Sequence, residues 1–461
     1  MRIPLDLIAA LMATYVVGKL PGCDFWPPEW NTVSFTAAVW ASFWLITWLL
    51  NEWVTRRTEW RIRFGRRIIP ETGRRHPIEA HGRAILVVQA ISVALYGVAL
   101  YALQWPSHVE TWPEWLGLRF DAAIGQLRLR DCSVVAMGLN LAPFLIAVLL
   151  SWLPRRRLLS GTRRRQIPLR KFFDFEVRLS WFPLAAWLAI AFLSDVFNML
   201  PRQFSDWSAE PGFEVLAMVA LAAVGFPLLM VSLWRCTPLP DGELKTRLEA
   251  LLLRSGVKVR KIMVWGPHDT GLLNACVLGP WSRFRYVLIS PALVEELSLE
   301  ETEAVLAHEI GHARHGHLTL FFIMIVFLSF LMEPLMQRLP AAWQASPLIE
   351  AGVAFTIVAL YIRFFFGAVM RHCEREADLA SAELVGSPLP IVVALEKLAL
   401  KSGNTRNVYS WHHGSIAERV ESVLQLSTDP DGMRRVHARS RWVRWIFVAL
   451  ALAALGLQRV L

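Results

Sequence analysis

The residues with the clearest chemical potential are His308-Glu309-Ile310-Gly311-His312. On a helix, positions i and i+4 share a face, so His308 and His312 can aim two imidazoles at one metal ion. Glu309 follows the first imidazole, where a carboxylate can take a proton from an activated water. The chemistry this set supports is metal-assisted hydrolysis. The same five-residue pattern also arises on ordinary solvated helices, so the chain must supply more. A zinc hydrolase needs three protein ligands and an open position. The best third ligand lies in Arg371-His-Cys-Glu374-Arg-Glu-Ala-Asp378. There Glu374 and Asp378 are again i and i+4. Glu374 can bind the metal while Asp378 orients a ligand imidazole from behind. His372 should point elsewhere on that helix and lie at the surface.

The elements around these residues are legible. Ser298-Leu-Glu-Glu301 is a capping box that starts the His308 helix near Leu299. Residues 238–300 read as a small soluble subdomain. Asp241–Arg254 is an amphipathic helix candidate, and Val257–Trp265 and Arg285–Ile289 read as strands. An apolar hairpin at about 318–370 would return the chain from His312 to Glu374 on one side of a membrane.

Over its 461 residues the chain is 55% hydrophobic, with a mean hydropathy of +0.40. The apolar residues fall in blocks at about 3–20, 33–50, 84–104, 132–153, 181–199, 213–234, 318–336, 349–370 and 442–460. Most are near the roughly 20 residues that cross a bilayer, so about nine spans are expected, the first of them uncleaved. The 21 Trp lie largely near block ends, as interfacial anchors do. The net charge is +10. Its Arg residues concentrate in the loops at 51–83 and 154–180, while alternate loops are poor or balanced in charge. That pattern marks topology and contact with anionic headgroups of the lipid bilayer, not nucleic acid, whose footprint should lie on one soluble face. It puts the N-terminus, 235–317 and 371–441 in the cytoplasm. The five scattered Cys, with no C-x-x-C, indicate neither a disulfide framework nor a Cys-rich zinc site.

With these motifs in order, residues 240–425 resemble the membrane-bound zinc endopeptidases that include the CAAX prenyl proteases and the bacterial protease HtpX. Residues 299–312 resemble that family's helix running into HExGH, and Arg371-x-x-Glu374-x-x-Ala377-Asp378 its R-x-x-E-x-x-A-D segment. The resemblance implies His308, His312 and Glu374 as ligands of one zinc ion and Glu309 as general base and acid. Leu273-Asn274-Ala275 resembles the family's edge strand, which implies that Asn274 and Ala275 bind an extended substrate. His413-Gly-Ser-Ile-Ala-Glu-Arg419 resembles its T-H-P-x-x-x-x-R segment, which implies an oxyanion role for His413 and Arg419. Here His412 replaces the Thr and Gly414 the Pro, and register with Arg419 favours His413 over His412. The family often has a His where this chain has His317, which implies a structural bond there. His315 falls outside the ligand set.

The expected fold is an α-helical polytopic membrane protein with a small cytoplasmic α+β zincin-type peptidase domain. Its parts would be an N-terminal transmembrane region at 1–235, the peptidase domain at 236–430 and a last span at 431–461. The expected activity is hydrolysis of membrane-associated or misfolded proteins at the cytoplasmic face, with a bacterial inner membrane as the setting. The alternatives are a CAAX-type prenyl-peptide protease and a signal transducer that cleaves a regulator. External loops under about 30 residues leave little room for the sensor domain that a transducer requires.

Overall fold

A computed structural model describes residues 33–65, 77–105, 133–162, 168–180, 213–265, 273–402 and 405–460, with a few isolated positions between them. The expected apolar blocks at 3–20 and 181–199 lie almost wholly outside the described residues. The chain divides into two compact units, Met1–Ser205 and Asp206–Leu461.

The first unit is built on three long helices, α1 (Val33–Gly65), α2 (Pro77–Ala102) and α3 (Ser133–Thr162), followed by α4 (Leu169–Ser180). Trp40, Phe43, Tyr96, Leu100, Leu141 and Phe144 form the core between α1, α2 and α3. Tyr96 satisfies its buried hydroxyl by donating to the Asn140 carbonyl at 2.7 Å, as a phenol removed from water must. The Arg residues read as loop charges at 56–63 and 155–157 are instead helical, because α1 and α3 continue beyond their apolar stretches. Several are paired: Arg157 reaches Glu52 at 2.8 Å and Glu59 at 3.0 Å, tying α3 to α1.

The second unit contains α5 (Phe213–Leu233), then a four-stranded sheet with α6 (Glu243–Ser255), then helices. The strands are β1 (Thr237–Pro238), β2 (Lys261–Val264), β3 (Ala275–Leu278) and β4 (Tyr286–Ile289), in the order β1-β2-β4-β3. β2 and β4 are parallel, and β3 is an antiparallel edge strand with Ala275 opposite Ile289. The helices that follow are α7 (Leu299–Arg314), α8 (His317–Gln337), α9 (Pro347–Leu360), α10 (Gly367–Val385), α11 (Leu389–Lys401), α12 (Ile416–Leu426) and α13 (Pro430–Val460). A π-helical turn at Tyr361–Phe366 joins α9 to α10 without a break.

α7 is the buried centre of this unit. It packs against α10, α11, α6 and β3, and Ala304, Leu306, Ala307 and Ile310 are almost fully excluded from solvent. Its start is set by the capping box: Glu301 N–H donates to Ser298 Oγ, and Ser298 N–H donates to Glu301 Oε2. α7 and α10 approach closely because Gly311 faces Ala377 and Ala380. A Cβ at 311 would lie 3.0 Å from Ala380 Cβ and 3.2 Å from Ala377 Cα.

Among the described residues, six helices are long and apolar enough to cross a membrane. They correspond to the expected blocks at 33–50, 84–104, 132–153, 318–336, 349–370 and 442–460. The block at 213–234 is α5, whose described apolar part is the shorter run Ala223–Leu233.

Candidate active site

The structure brings His308, His312 and Glu374 together. His308 Nε2 and His312 Nε2 lie 3.2 Å apart. Each lies 3.6 Å from a Glu374 oxygen, His308 from Oε2 and His312 from Oε1. Four ligands at 2.0–2.1 Å around a tetrahedral zinc stand about 3.3 Å from one another, so these donors already stand near metal-ligand spacing. Glu374 Oε2 is buried and makes no hydrogen bond, which a coordinated cation would remedy.

The hydrogen-bond network behind the donors sets their tautomers. His308 Nδ1–H donates to Asp378 Oδ1 at 2.8 Å, which leaves its Nε2 lone pair facing Glu374. His317 Nε2–H donates to Glu376 Oε2 at 2.8 Å, so its Nδ1 can accept from His312 Nδ1–H at 2.9 Å. That in turn leaves the His312 Nε2 lone pair facing the same point. Both imidazoles therefore present the form in which histidine binds metal. Burial, more than any neighbour, holds the His312 pKa well below the usual imidazole value. Burial also pushes His308 down, but the charge and hydrogen bond of Asp378 prevail and leave it raised.

Charge points the same way. Three carboxylates, Glu309, Glu374 and Asp378, surround one guanidinium, that of Arg419. With Glu374 and Asp378 ionised and Glu309 titrating near neutrality, the set carries excess negative charge that a divalent cation would offset. The donor set, its spacing and its charge fit zinc.

Glu309 is half-buried beside the site. Burial, with the neighbouring Glu374 charge added, raises its pKa to about 7, against lowering by His308, Arg419 and a backbone hydrogen bond from Val277. Val277 belongs to the edge strand β3, so the general-base candidate borders an unpaired strand edge. Ala275 is buried at the start of β3, and the Asn274 backbone pairs with Ser290 at both its N–H and its carbonyl.

Arg419 projects from α12, whose first turn is fixed by a second capping box, Ser415 with Glu418. Its Nε and Nη2 donate to the two Asp378 oxygens at 2.9 and 2.6 Å, and Nη1 lies 3.3 Å from Glu374 Oε2. His413 Nδ1 lies 2.9 Å from Glu374 Oε1, with 44% of its side chain exposed. His412 turns instead to Ser410 Oγ at 3.0 Å. Gly414, where the family pattern has Pro, adopts φ +75°, a conformation closed to proline.

One neighbour differs from the sequence reading, and a second was not singled out by it. His372 is buried, not at the surface, because α13 covers it and Ser440 Oγ meets its Nε2 at 2.9 Å. Glu376, two residues from Glu374 and with no periodicity to single it out, is the carboxylate that orients His317.

Taken together, the second unit combines an HExxH helix, a glutamate from a neighbouring helix, an edge strand and a pair of apolar helices between the motifs. Residues 238–443 match Peptidase family M48, the family type that the motifs implied. The chain is 28% identical over 160 residues to a protease HtpX homolog of Herminiimonas arsenicoxydans, covering 32% of this chain and 53% of that protein. It is 28% identical over 268 residues to CAAX prenyl protease 1 of Saccharomyces cerevisiae, covering 50% of this chain and 58% of that one. The chain thus spans about half the length of the relatives it matches. The crystal structure of S. mikatae Ste24p shares the fold, with a TM-score of 0.55 and 16% identity over 84% of this chain and 98% of that one.

Proposed function

We propose that this chain is an integral membrane zinc-dependent endopeptidase that hydrolyses membrane-associated or misfolded proteins at the cytoplasmic face. On this reading a peptidase domain at 236–430 lies between a transmembrane region at 1–235 and a last span at 431–461. The carrying observation is the convergence of His308 Nε2, His312 Nε2 and the Glu374 carboxylate, with the far nitrogens of the two imidazoles held by Asp378 and His317. A zinc ion held by them would supply Lewis acidity toward a peptide carbonyl and a water.

The chain's own residues supply the rest. Glu309 takes the proton of the attacking water and returns it to the leaving amine, a role suited to a carboxyl titrating near neutrality. An extended substrate segment adds to the free edge of β3, with Asn274 and Ala275 at its end. His413 is exposed enough to swing from Glu374 to the developing oxyanion. Arg419 commits two nitrogens to Asp378, which leaves Nη1 as the donor it can offer. Main-chain pairing of this kind reads little side-chain identity, which favours general membrane proteolysis over a prenyl-peptide substrate or a single cleaved regulator.

The test is the purified chain beside Glu309→Gln, with zinc content and cleavage of an unfolded protein measured for both. Loss of general acid–base catalysis should slow cleavage by about 10²–10⁴-fold with zinc retained. Full activity in the variant, or no zinc in either protein, refutes the reading.

A further inference from the structure

A second set of imidazole and carboxylate donors lies where α7, α10 and α13 meet. His315 ends α7, Glu376 is on α10 and His437 is on α13. Both imidazoles turn Nδ1 toward one oxygen: Glu376 Oε1 lies 3.2 Å from His315 Nδ1 and 2.7 Å from His437 Nδ1. One donor atom from each of the three lies within 4.8 Å of the others. The far atoms of Glu376 and His437 are held as they are behind metal ligands, while His315 Nε2 is buried without a hydrogen-bond partner. His317 Nε2 is 2.8 Å from Glu376 Oε2, and Glu383 Oε1 is 3.5 Å from His437 Nε2. Glu376 is almost fully buried, while the side chains of His315 and His437 are each 19% exposed, which leaves an open side for entry and for water.

We propose that His315, Glu376 and His437 form a second metal site, separate from the His308–His312–Glu374 set, that takes a divalent ion of the zinc class. Two imidazoles and one carboxylate select such an ion over magnesium or calcium, which prefer all-oxygen shells. Coordination requires the 2.7 and 3.2 Å separations to open to about 3.3 Å, the edge of a tetrahedral zinc shell. That is a movement of about 0.6 Å for His437 and about 0.1 Å for His315, and the two imidazole donors, which lie within 4.8 Å of each other, must settle at the same spacing. An ion here would fasten α13 to the end of α7. It would also border the first site, since Glu376 reaches His312 through His317. The proposal stands independently of the proteolytic reading. A hydrogen-bonded histidine–glutamate cluster would satisfy the same contacts, so a count of ions decides between the two.

The experiment uses the full chain in detergent micelles, stripped with a chelator, reloaded with zinc and desalted, with bound zinc counted by mass spectrometry. The wild-type chain should hold two zinc ions. His308→Ala/His312→Ala should hold one, and so should His315→Ala/His437→Ala. His437→Gln, which keeps a hydrogen-bonding group against Glu376, should also hold one. Its circular dichroism should match wild type, so the loss is not one of folding. Glu383→Gln should weaken the second ion by about 10–100-fold. A wild-type count of one, or a His437→Gln chain that still holds two, overturns the proposal.

Discussion

Gly311 lies between the two candidate zinc ligands of α7, and replacing it with Ala tests whether helix spacing sets the site. The added methyl would stand 3.0 Å from Ala380 Cβ, 3.2 Å from Ala377 Cα and 3.3 Å from the Ala377 carbonyl oxygen. Ordinary carbon contacts are about 3.5–4.0 Å, so α7 and α10 must part by roughly half an ångström. The two histidines ride on α7 and Glu374 on α10. Their 3.6 Å separations would therefore widen to about 4 Å, beyond the roughly 0.2 Å tolerance of metal–ligand bonds. Overpacking of this kind costs about 1–3 kcal/mol. Ala is better than Gly inside a helix by about 1 kcal/mol, so much of the loss in fold stability is offset. The metal site has no such compensation. Gly311→Ala should thus leave thermal unfolding within a few degrees of wild type while weakening zinc by roughly 5–150-fold, the equivalent of 1–3 kcal/mol. Competition with a chromogenic chelator measures the affinity, and scanning fluorimetry the unfolding. Adding Ala380→Gly removes the tightest contact and should restore part of the affinity, because the remaining contacts are the looser ones to Ala377. Unchanged zinc affinity in Gly311→Ala, or no recovery in the double variant, would show that close approach of α7 and α10 does not set the site.

Asp378→Asn keeps the shape but removes the charge that holds both His308 and Arg419. Zinc affinity should fall by about 10–100-fold, and chelator competition would show it; an unchanged value would mean that His308 is oriented by packing alone. Glu301 provides a pH test. Burial raises its pKa, but Lys397 and Ser298 outweigh that and leave it below the usual carboxylate value. A lowered carboxylate pKa adds stability that is complete above the unfolded value of about 4.3 and is lost as pH falls through the folded value. Glu301→Gln should therefore cost about 1–2 kcal/mol at neutral pH. Its melting temperature should converge on wild type as pH drops below about 4. A constant gap across that range would assign the effect to the capping box alone.

Local patterns carried much of this fold into view before any coordinates. The capping box at Ser298 marks the start of α7 to the residue, because its signal is confined to four positions. The spacing of His308 with His312, and of Glu374 with Asp378, reports helix periodicity directly. Strand limits were less legible. β2 and β4 are shorter than expected, and β3 is identified by resemblance and not by its own alternation. What local pattern could not show is contact between segments far apart in the chain. His372 looked exposed because nothing near it in sequence covers it; Ser440 does so from 68 residues away. The Arg residues at 56–63 and 155–157 read as loops because charge ends an apolar run, yet a helix does not stop where its apolar stretch stops.

The least legible part is the histidine network behind the site, and physical reasoning shows why. Glu374 and Glu376 lie two positions apart, so a helix directs them to nearly opposite sides. Periodicity therefore groups Glu374 with Asp378 and leaves Glu376 alone. In the structure each carboxylate has its own set of imidazoles: Glu374 faces His308, His312 and His413, while Glu376 faces His315, His317 and His437. The two sets meet at a single hydrogen bond between His312 and His317. That bond requires His312 to donate through Nδ1 whenever His317 donates to Glu376, and it thereby keeps Nε2 available to a metal ion. Glu376 thus affects the first site through a tautomer and not through contact. Replacing it should be felt at the metal even though it touches none of the candidate catalytic ligands.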